Sequence, residues 1–284
     1  MEEELKMTLK FDEIGYWSEI KLDIIKRYAS EYSKIMSKQH PRIRHHVYID
    51  AFAGSGKNIS KTTRNIVSGS PEIALNIQPP FKEFYFIDID CEKVANLKKL
   101  ASGRPEVNVL EGDCNLRLLE EVFPQINYRD FRRGLCLLDP YGLDLKWEVI
   151  KKAGNMQSIE IFLNFPVMAM NRSVLWTKNT SGIAQDDIAR MDAFWGDNSW
   201  REVVYSPIID MFGDTHNIKE PNKAIAMVFR DRLKDVAGFK NVPEPLPMRN
   251  TTNSTMYYLF FASQNDTDNR IVNHIFNKYR NQGL

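Results

Sequence analysis

The residues best suited to chemistry in this chain are four aspartates, Asp50, Asp88, Asp113 and Asp139, each carried to a turn by a strand-like run. The first closes His46-Val47-Tyr48-Ile49-Asp50 and opens Ala51-Phe52-Ala53-Gly54-Ser55-Gly56. Glycine takes backbone angles closed to other residues and has no Cβ, so such a loop lets a flat ligand lie against the main chain. Gly-rich loops after strands serve phosphates, dinucleotides and S-adenosylmethionine alike.

The letters separate the three. A phosphate cradle needs Gly, four residues, then Gly-Lys and Ser or Thr; Ala51 and Asn58 stand at the two ends, and Gly56-Lys57 alone remains to carry a nucleotide-hydrolase alternative. The dinucleotide fingerprint fails because Ile59 follows Gly54 and Gly56 where a third Gly would let a helix pack close. The next helix start is Ser70-Pro71-Glu72, with Ser as N-cap, Pro at the first helical position and an acid in the first turn. Residues 57–69 therefore read as a loop inserted before that helix. A ligand without phosphates tolerates the gap, since it does not need the helix dipole aimed at it.

Phe84-Tyr85-Phe86-Ile87-Asp88-Ile89-Asp90 ends in acids and leads into a helix through Lys93, Leu97 and Leu100. Asp88 is placed to accept both ribose hydroxyls, as an acid at a second strand end does in dinucleotide folds, and Asp90 to cap the helix. Val107 to Cys114 gives a third strand and turn, where Asp113 either accepts from an adenine amine or simply makes the turn. The fourth strand end, Leu137-Leu138-Asp139-Pro140-Tyr141-Gly142, is where the reaction belongs. Methyl transfer to an amine needs the nitrogen lone pair aimed at the methyl carbon; Asp139 and the Pro140 region can fix that direction by accepting the amine protons. Tyr141 either stacks on a planar base or packs.

Tyr48-Ile-Asp-Ala-Phe-Ala-Gly-Ser-Gly, Gly69-Ser-Pro-Glu-Ile-Ala-Leu, Phe86-Ile-Asp-Ile-Asp, Gly112-Asp-Cys-Asn and Leu138-Asp-Pro-Tyr-Gly, in this order, resemble the three-Cys-motif partner family. That family is similar to class I S-adenosylmethionine-dependent methyltransferases, and the likeness runs over most of the chain. The Asp-Pro-Tyr-Gly segment also resembles the Asp-Pro-Phe-Gly of tRNA guanine-N2 dimethyltransferases. More loosely, it resembles the Asp-Pro-Pro-Tyr of adenine and cytosine amino-methyltransferases, but lacks the second proline and carries Tyr141 one position early. The resemblance implies S-adenosylmethionine as cofactor, with Asp50, Gly54 and Gly56 around its methionine part, Asp88 at ribose, Asp113 at adenine, and Phe52 and Cys114 also among the cofactor-binding residues. Asp139, Pro140 and Tyr141 then meet the acceptor. It also implies a protein partner carrying the three-Cys motif; the cysteines of this chain are not that motif.

Composition bounds the picture. The chain has 284 residues, 43% of them hydrophobic, enough for a substantial core. Lys plus Arg number 38 against 37 acids, so the overall field does not draw the protein to nucleic acid. Two local basic clusters, Arg42-Ile-Arg44-His45-His46 and Arg129 with Arg132 and Arg133, read as solvated faces. Cys91, Cys114 and Cys136 match neither zinc nor disulfide spacing, and His45 and His46 would face opposite sides of a strand, so no metal is expected. The acidic Met1-Glu-Glu-Glu-Leu is no signal peptide, and no apolar run approaches the roughly 18 residues of a membrane helix. A cytoplasmic protein without membrane contact follows.

The elements needed to position these residues are legible too. Trp17, Ile20, Ile24, Ile25, Tyr28, Tyr32 and Ile35 predict an amphipathic helix over 16–37 with Trp17 in the core; the resemblance to class I methyltransferases implies instead that Trp17 and Lys21 belong to a lid over the cofactor. Ile159 to Pro166 makes a fifth strand with Asn164 near the pocket mouth. Residues 167–222, with Asn171, Arg172, Trp176, Trp195 and Trp200, read as a helical insertion forming one wall of the acceptor site and offering aromatic rings for stacking. Asn222 to Val236 reads as a helix ending at Gly238. An edge strand over 239–248, a strand over 255–263 and a helix over 268–281 follow. The expected fold is α/β: a Rossmann-like class I methyltransferase sheet, mostly parallel with the last strand antiparallel, in residues 1–166 and 223–284. The expected function is methyl transfer to a nucleobase amine in RNA or DNA, the base being unpaired or flipped. The alternative is a non-catalytic, cofactor-binding module that docks another protein.

Overall fold

The computed structural model describes residues 11–39, 43, 45–175, 182–209 and 215–280. In chain order, the strands are β1 (Asp12–Ile14), β2 (His45–Asp50), β3 (Lys57–Ser60), β4 (Ile66–Ser68), β5 (Glu83–Asp88), β6 (Val107–Glu111), β7 (Arg132–Leu138), β8 (Ile159–Phe165), β9 (Tyr205–Ile209), β10 (Thr215–Lys219), β11 (Leu246–Arg249) and β12 (Thr255–Ala262). The α-helices are α1 (Tyr16–Lys38), α2 (Ser70–Leu75), α3 (Cys91–Leu100), α4 (Cys114–Leu116), α5 (Trp147–Met156), α6 (Val167–Ser173), α7 (Gln185–Trp195), α8 (Trp200–Val204), α9 (Asn222–Asp235) and α10 (Asp266–Arg280).

The main sheet has the order β11-β12-β8-β7-β2-β5-β6. β2 pairs in parallel with β5 and β7, β5 with β6, and β7 with β8, whereas β12 runs antiparallel to both β8 and β11. This is the Rossmann-like sheet with an antiparallel last strand that the sequence predicts. Its strand order reverses at β2, so a crevice opens above the carboxyl ends of β2, β5 and β7.

Side-chain alternation divides the core into two layers. Tyr48, Leu135, Leu137, Phe162, Leu259 and Phe261 face α1 and α10, joining Ile24, Tyr28, Val272 and Phe276. Val47, Ile49, Cys136, Leu138, Ile161 and Phe260 face the other way, onto Val149, Ile150, Phe229 and Trp195. Each fully buried Phe or Ile contributes on the order of 1.5–3 kcal/mol. That is why the strands read as continuous apolar runs rather than alternating ones.

Four expectations need correction. Residues 57–69 are no plain loop: β3 and β4 form a hairpin, and β1 adds to β3 in parallel. The strands are only three or four residues long, too short for an apolar alternation to announce them. Their turn is held by Ser60, whose hydroxyl oxygen accepts from the Thr62 and Thr63 N–H groups. The N-cap of α2 is Gly69, not Ser70; the Gly69 N–H donates to the Gly56 carbonyl at 2.8 Å, which keeps it extended and starts the helix at Ser70. The 167–222 segment is not wholly helical, since β9 and β10 pair as an antiparallel ribbon. The edge strand is only Leu246–Arg249, and Asn241 reaches the sheet through a single bridge to Ser263.

Candidate functional site

A cleft of about 710 Å³ lies over the carboxyl ends of the parallel strands, within the roughly 300–1,000 Å³ usual for small-molecule sites. Phe52, Gly54, Asp88, Asp113, Cys114, Asp139, Pro140 and Tyr141 all line it. Asp50 and Gly56 do not. Asp50 lies beneath, fully buried, and its Oδ1 accepts the Phe52 N–H at 3.4 Å. Gly56 has φ +83°, a left-handed conformation that favours glycine, and a Cβ there would meet the end of the Leu100 side chain of α3 at 2.9 Å.

The strand-end acids hold the loops in place. The Gly54 N–H donates to Asp88 Oδ2 at 2.8 Å, and the Asp90 N–H to Asp88 Oδ1 at 2.9 Å. Asp90 caps α3 by accepting from the Glu92 and Lys93 N–H groups. Asp113 Oδ1 caps α4, accepting from the backbone and side-chain N–H groups of Asn115. Asn115 in turn donates to the Asp144 carbonyl and accepts from the Lys146 N–H, joining the turn after β6 to the loop after β7. Asp113 is thus both a turn residue and a cleft residue.

At the far end, Leu138 pairs with Leu163 in the sheet, which sets Asp139 and Asn164 side by side just beyond. The Asn164 Nδ2 donates to Asp139 Oδ1 at 2.8 Å. Lys21 of α1 forms an ion pair with Asp139 Oδ2. Lys21 is 7% exposed, and its Nζ lies 5.6 Å from the ring centre of Tyr257. Asn164 Oδ1 is left buried without a hydrogen-bond partner. Trp17 is half-buried and lines the cleft beside Lys21.

Electrostatics favour a cation here. Among the lining residues, Asp12, Asp88, Asp90, Asp113, Asp139 and Asp144 outnumber Lys21, Lys93 and Arg172. Burial, with the nearby Asp139 charge adding to it and the Ser70 hydroxyl opposing it, pushes the Asp50 carboxyl up to about 7. Burial also pushes the Cys114 thiol up to about 12, so it stays protonated and is no nucleophile at neutral pH. A phosphate fits poorly: Asp88 already takes the Gly54 N–H, and Lys57 lies in β3, paired with Glu72 at 3.5 Å. Among the described residues, no group of three His, Cys, Asp or Glu side chains could hold a metal ion, and no helix is long and apolar enough to cross a membrane.

The 167–222 segment contributes Met168, Ala169 and Arg172 of α6 to the cleft. Its tryptophans do not supply stacking surfaces: Trp195 and Trp200 are fully buried, their indole N–H groups donating to Ser199 and Asp192, and Trp176 lies outside the described residues. Tyr141, by contrast, is 76% exposed at the mouth. Arg132 and Arg133 begin β7, at the opposite end of the sheet from the cleft, with Arg132 paired to Glu83 and Arg133 over the Tyr128 ring. Arg42 and Arg44 lie outside the described residues. Tyr257 and Asp12, which also line the cleft, carried no signal in the sequence. One is an ordinary strand aromatic, and the other lies in a three-residue strand.

No family model and no curated protein sequence matches the chain. Similar solved structures include a Legionella pneumophila protein (13% identity, 88% of this chain and 89% of that one, TM-score 0.47). An S-adenosylmethionine-dependent methyltransferase from Clostridium acetobutylicum is 12% identical over 84% of this chain and 90% of that one, TM-score 0.37. An rRNA methylase from Streptococcus thermophilus is 11% identical over 84% and 92%, TM-score 0.36. Strand order and register, rather than these likenesses, define the fold.

Proposed function

We propose that the chain is an S-adenosylmethionine-dependent methyltransferase acting on a nucleobase amine in RNA or DNA, and that it belongs with the three-Cys-motif partner proteins and works beside a protein carrying that motif. The observation that carries the methyltransferase reading is the gathering of Gly54, Asp88, Asp113 and Asp139 from adjacent strand ends around one acid-rich cleft. An excess of carboxylates suits a sulfonium nucleoside and opposes a polyphosphate. When bound, S-adenosylmethionine supplies an electrophilic methyl group. The lone pairs of Asp88 not used by Gly54 and Asp90 receive ribose hydroxyls. Asp113 and Cys114 border the adenine, and the 51–54 backbone borders the methionine part, with Asp50 supporting that loop from below.

Asp139 and Pro140 meet the acceptor, and the exposed Tyr141 ring offers a face for an unpaired base. The test is transfer of a labelled methyl group to mixed single-stranded RNA, DNA and protein, alongside calorimetry with the cofactor. Label in nucleic acid supports the reading. A specific observation favours the second reading, a cofactor-binding docking module: both oxygens of Asp139 are already engaged, by Lys21 and Asn164. Cofactor binding without any transfer would select it.

A further inference from the structure

We propose that Lys21 is a methyl-acceptor site of the chain itself: its side-chain nitrogen sits on Asp139, in the place reserved for an acceptor amine. This inference rests on the methyltransferase reading above. Along α1, Lys26, Lys34 and Lys38 face solvent or the partly exposed rim, while Lys21 turns inward among Ile20, Leu22, Ile24 and Ile25. Stability does not account for a buried lysine there, because a buried ion pair is commonly no better than an apolar pair of the same volume. What the position gives Lys21 is hydrogen bonding to the carboxylate that would orient any acceptor.

The surroundings suit an amine that gains methyl groups. The Asn164 side chain holds the other Asp139 oxygen at 2.8 Å, so the carboxylate is fixed in direction. The Asn164 carboxamide cannot be turned round, since a carboxylate accepts only and must face the NH₂ group. Its Oδ1 is therefore left buried without a partner. Asn164 is itself only 9% exposed, whereas the Asp139 side chain keeps 26% exposure where it lines the cleft. The Tyr257 ring lies 5.6 Å from Lys21 Nζ, and an aromatic face retains its attraction for an ammonium as methyl groups replace its protons.

The step balances within the cleft. Asp139 Oδ2 takes one proton from the Lys21 ammonium, freeing the nitrogen lone pair. That pair forms the N–C bond to the methyl carbon as the C–S bond breaks, and the bonding electrons return to sulfur, leaving a neutral thioether. The methylated nitrogen keeps the positive charge, and the proton on Asp139 passes to water.

The full-length protein is incubated with methyl-labelled S-adenosylmethionine, digested and sequenced by mass spectrometry, with cofactor binding followed separately by calorimetry. Label on the peptide holding Lys21 is expected. It should fall by roughly a hundredfold or more in Asp139→Asn, which cannot take the proton. It should vanish in Lys21→Arg, which keeps the charge but is not a nucleophile. A readout without cofactor accompanies it: thermal unfolding of Lys21→Met, Asp139→Asn and the double variant should show non-additive losses. Additive losses would mean that Lys21 does not sit on Asp139 and would overturn the proposal. Bound cofactor with unlabelled Lys21 overturns it while leaving the cofactor reading intact. Absence of cofactor binding overturns both.

Discussion

Gly54 donates its backbone N–H to Asp88 across 2.8 Å, so the acid ending β5 fixes the loop that follows β2. Charge-assisted bonds of this kind are worth about 1.5–3 kcal/mol, more than a neutral one. Asp88→Ala should therefore lower folding stability by about 1–2 kcal/mol, discounted because Asp88 is only half-buried. Hydrogen exchange should quicken at Gly54 and Asp90, whose N–H groups lose their partner. Unchanged exchange at Gly54 would show that the loop is held by something else.

Asp139→Ala should spare cofactor affinity and abolish methyl transfer, as expected of a residue that acts on the acceptor. Single-turnover assays on whichever acceptor the labelling survey identifies are the check. Normal turnover would remove Asp139 from the acceptor end.

Gly69 approaches Gly56 so closely that a Cβ would lie 2.8 Å from the Gly56 carbonyl oxygen. Gly69→Ala should force the start of α2 away from the loop and cost about 1–3 kcal/mol, the usual penalty of overpacking. Urea unfolding reads this directly; a loss below about 0.5 kcal/mol would show that the loop yields freely.

Asp50 gives a pH signature. Its carboxyl is pushed up to about 7 by burial in the folded chain, against an ordinary value of 3.8. The folded state therefore keeps this proton while the unfolded chain releases it. Its contribution to stability is full below about pH 4 and is lost as pH rises towards 7. Asp50→Asn should gain on wild type across that window, seen as a Tm difference that grows with pH and levels off above neutrality. His46 acts oppositely: burial, aided by the Lys82 charge, lowers it from 6.5 to about 4, so it opposes folding as pH falls between those values. A pH-independent difference between wild type and Asp50→Asn would place an ionised carboxylate in the core.

Much of this was legible because the strands of a doubly covered sheet are continuous apolar runs, and Ile49, Ile87 and Leu138 each hand over directly to a strand-end acid. Asp90 could be read as a cap from its place before Cys91-Glu92-Lys93. Long-range pairing could not be read in this way. Lys21 and Asp139 are 118 positions apart, and nothing local marks one as the other's counter-ion. For Gly56 the letters give no distinction, because a glycine that takes φ +83° beside Leu100 and one that lets a ligand approach look alike in sequence. Trp195 and Trp200 misled because a polar neighbourhood hid their burial.

Cofactor recognition by the cleft is tested most directly by calorimetric titration of the wild-type chain with S-adenosylmethionine. Saturable one-to-one binding is predicted, weakened by about 1.5–3 kcal/mol, roughly tenfold to a hundredfold, in Asp88→Ala. No binding by the folded wild type, or equal affinity in Asp88→Ala, would contradict it.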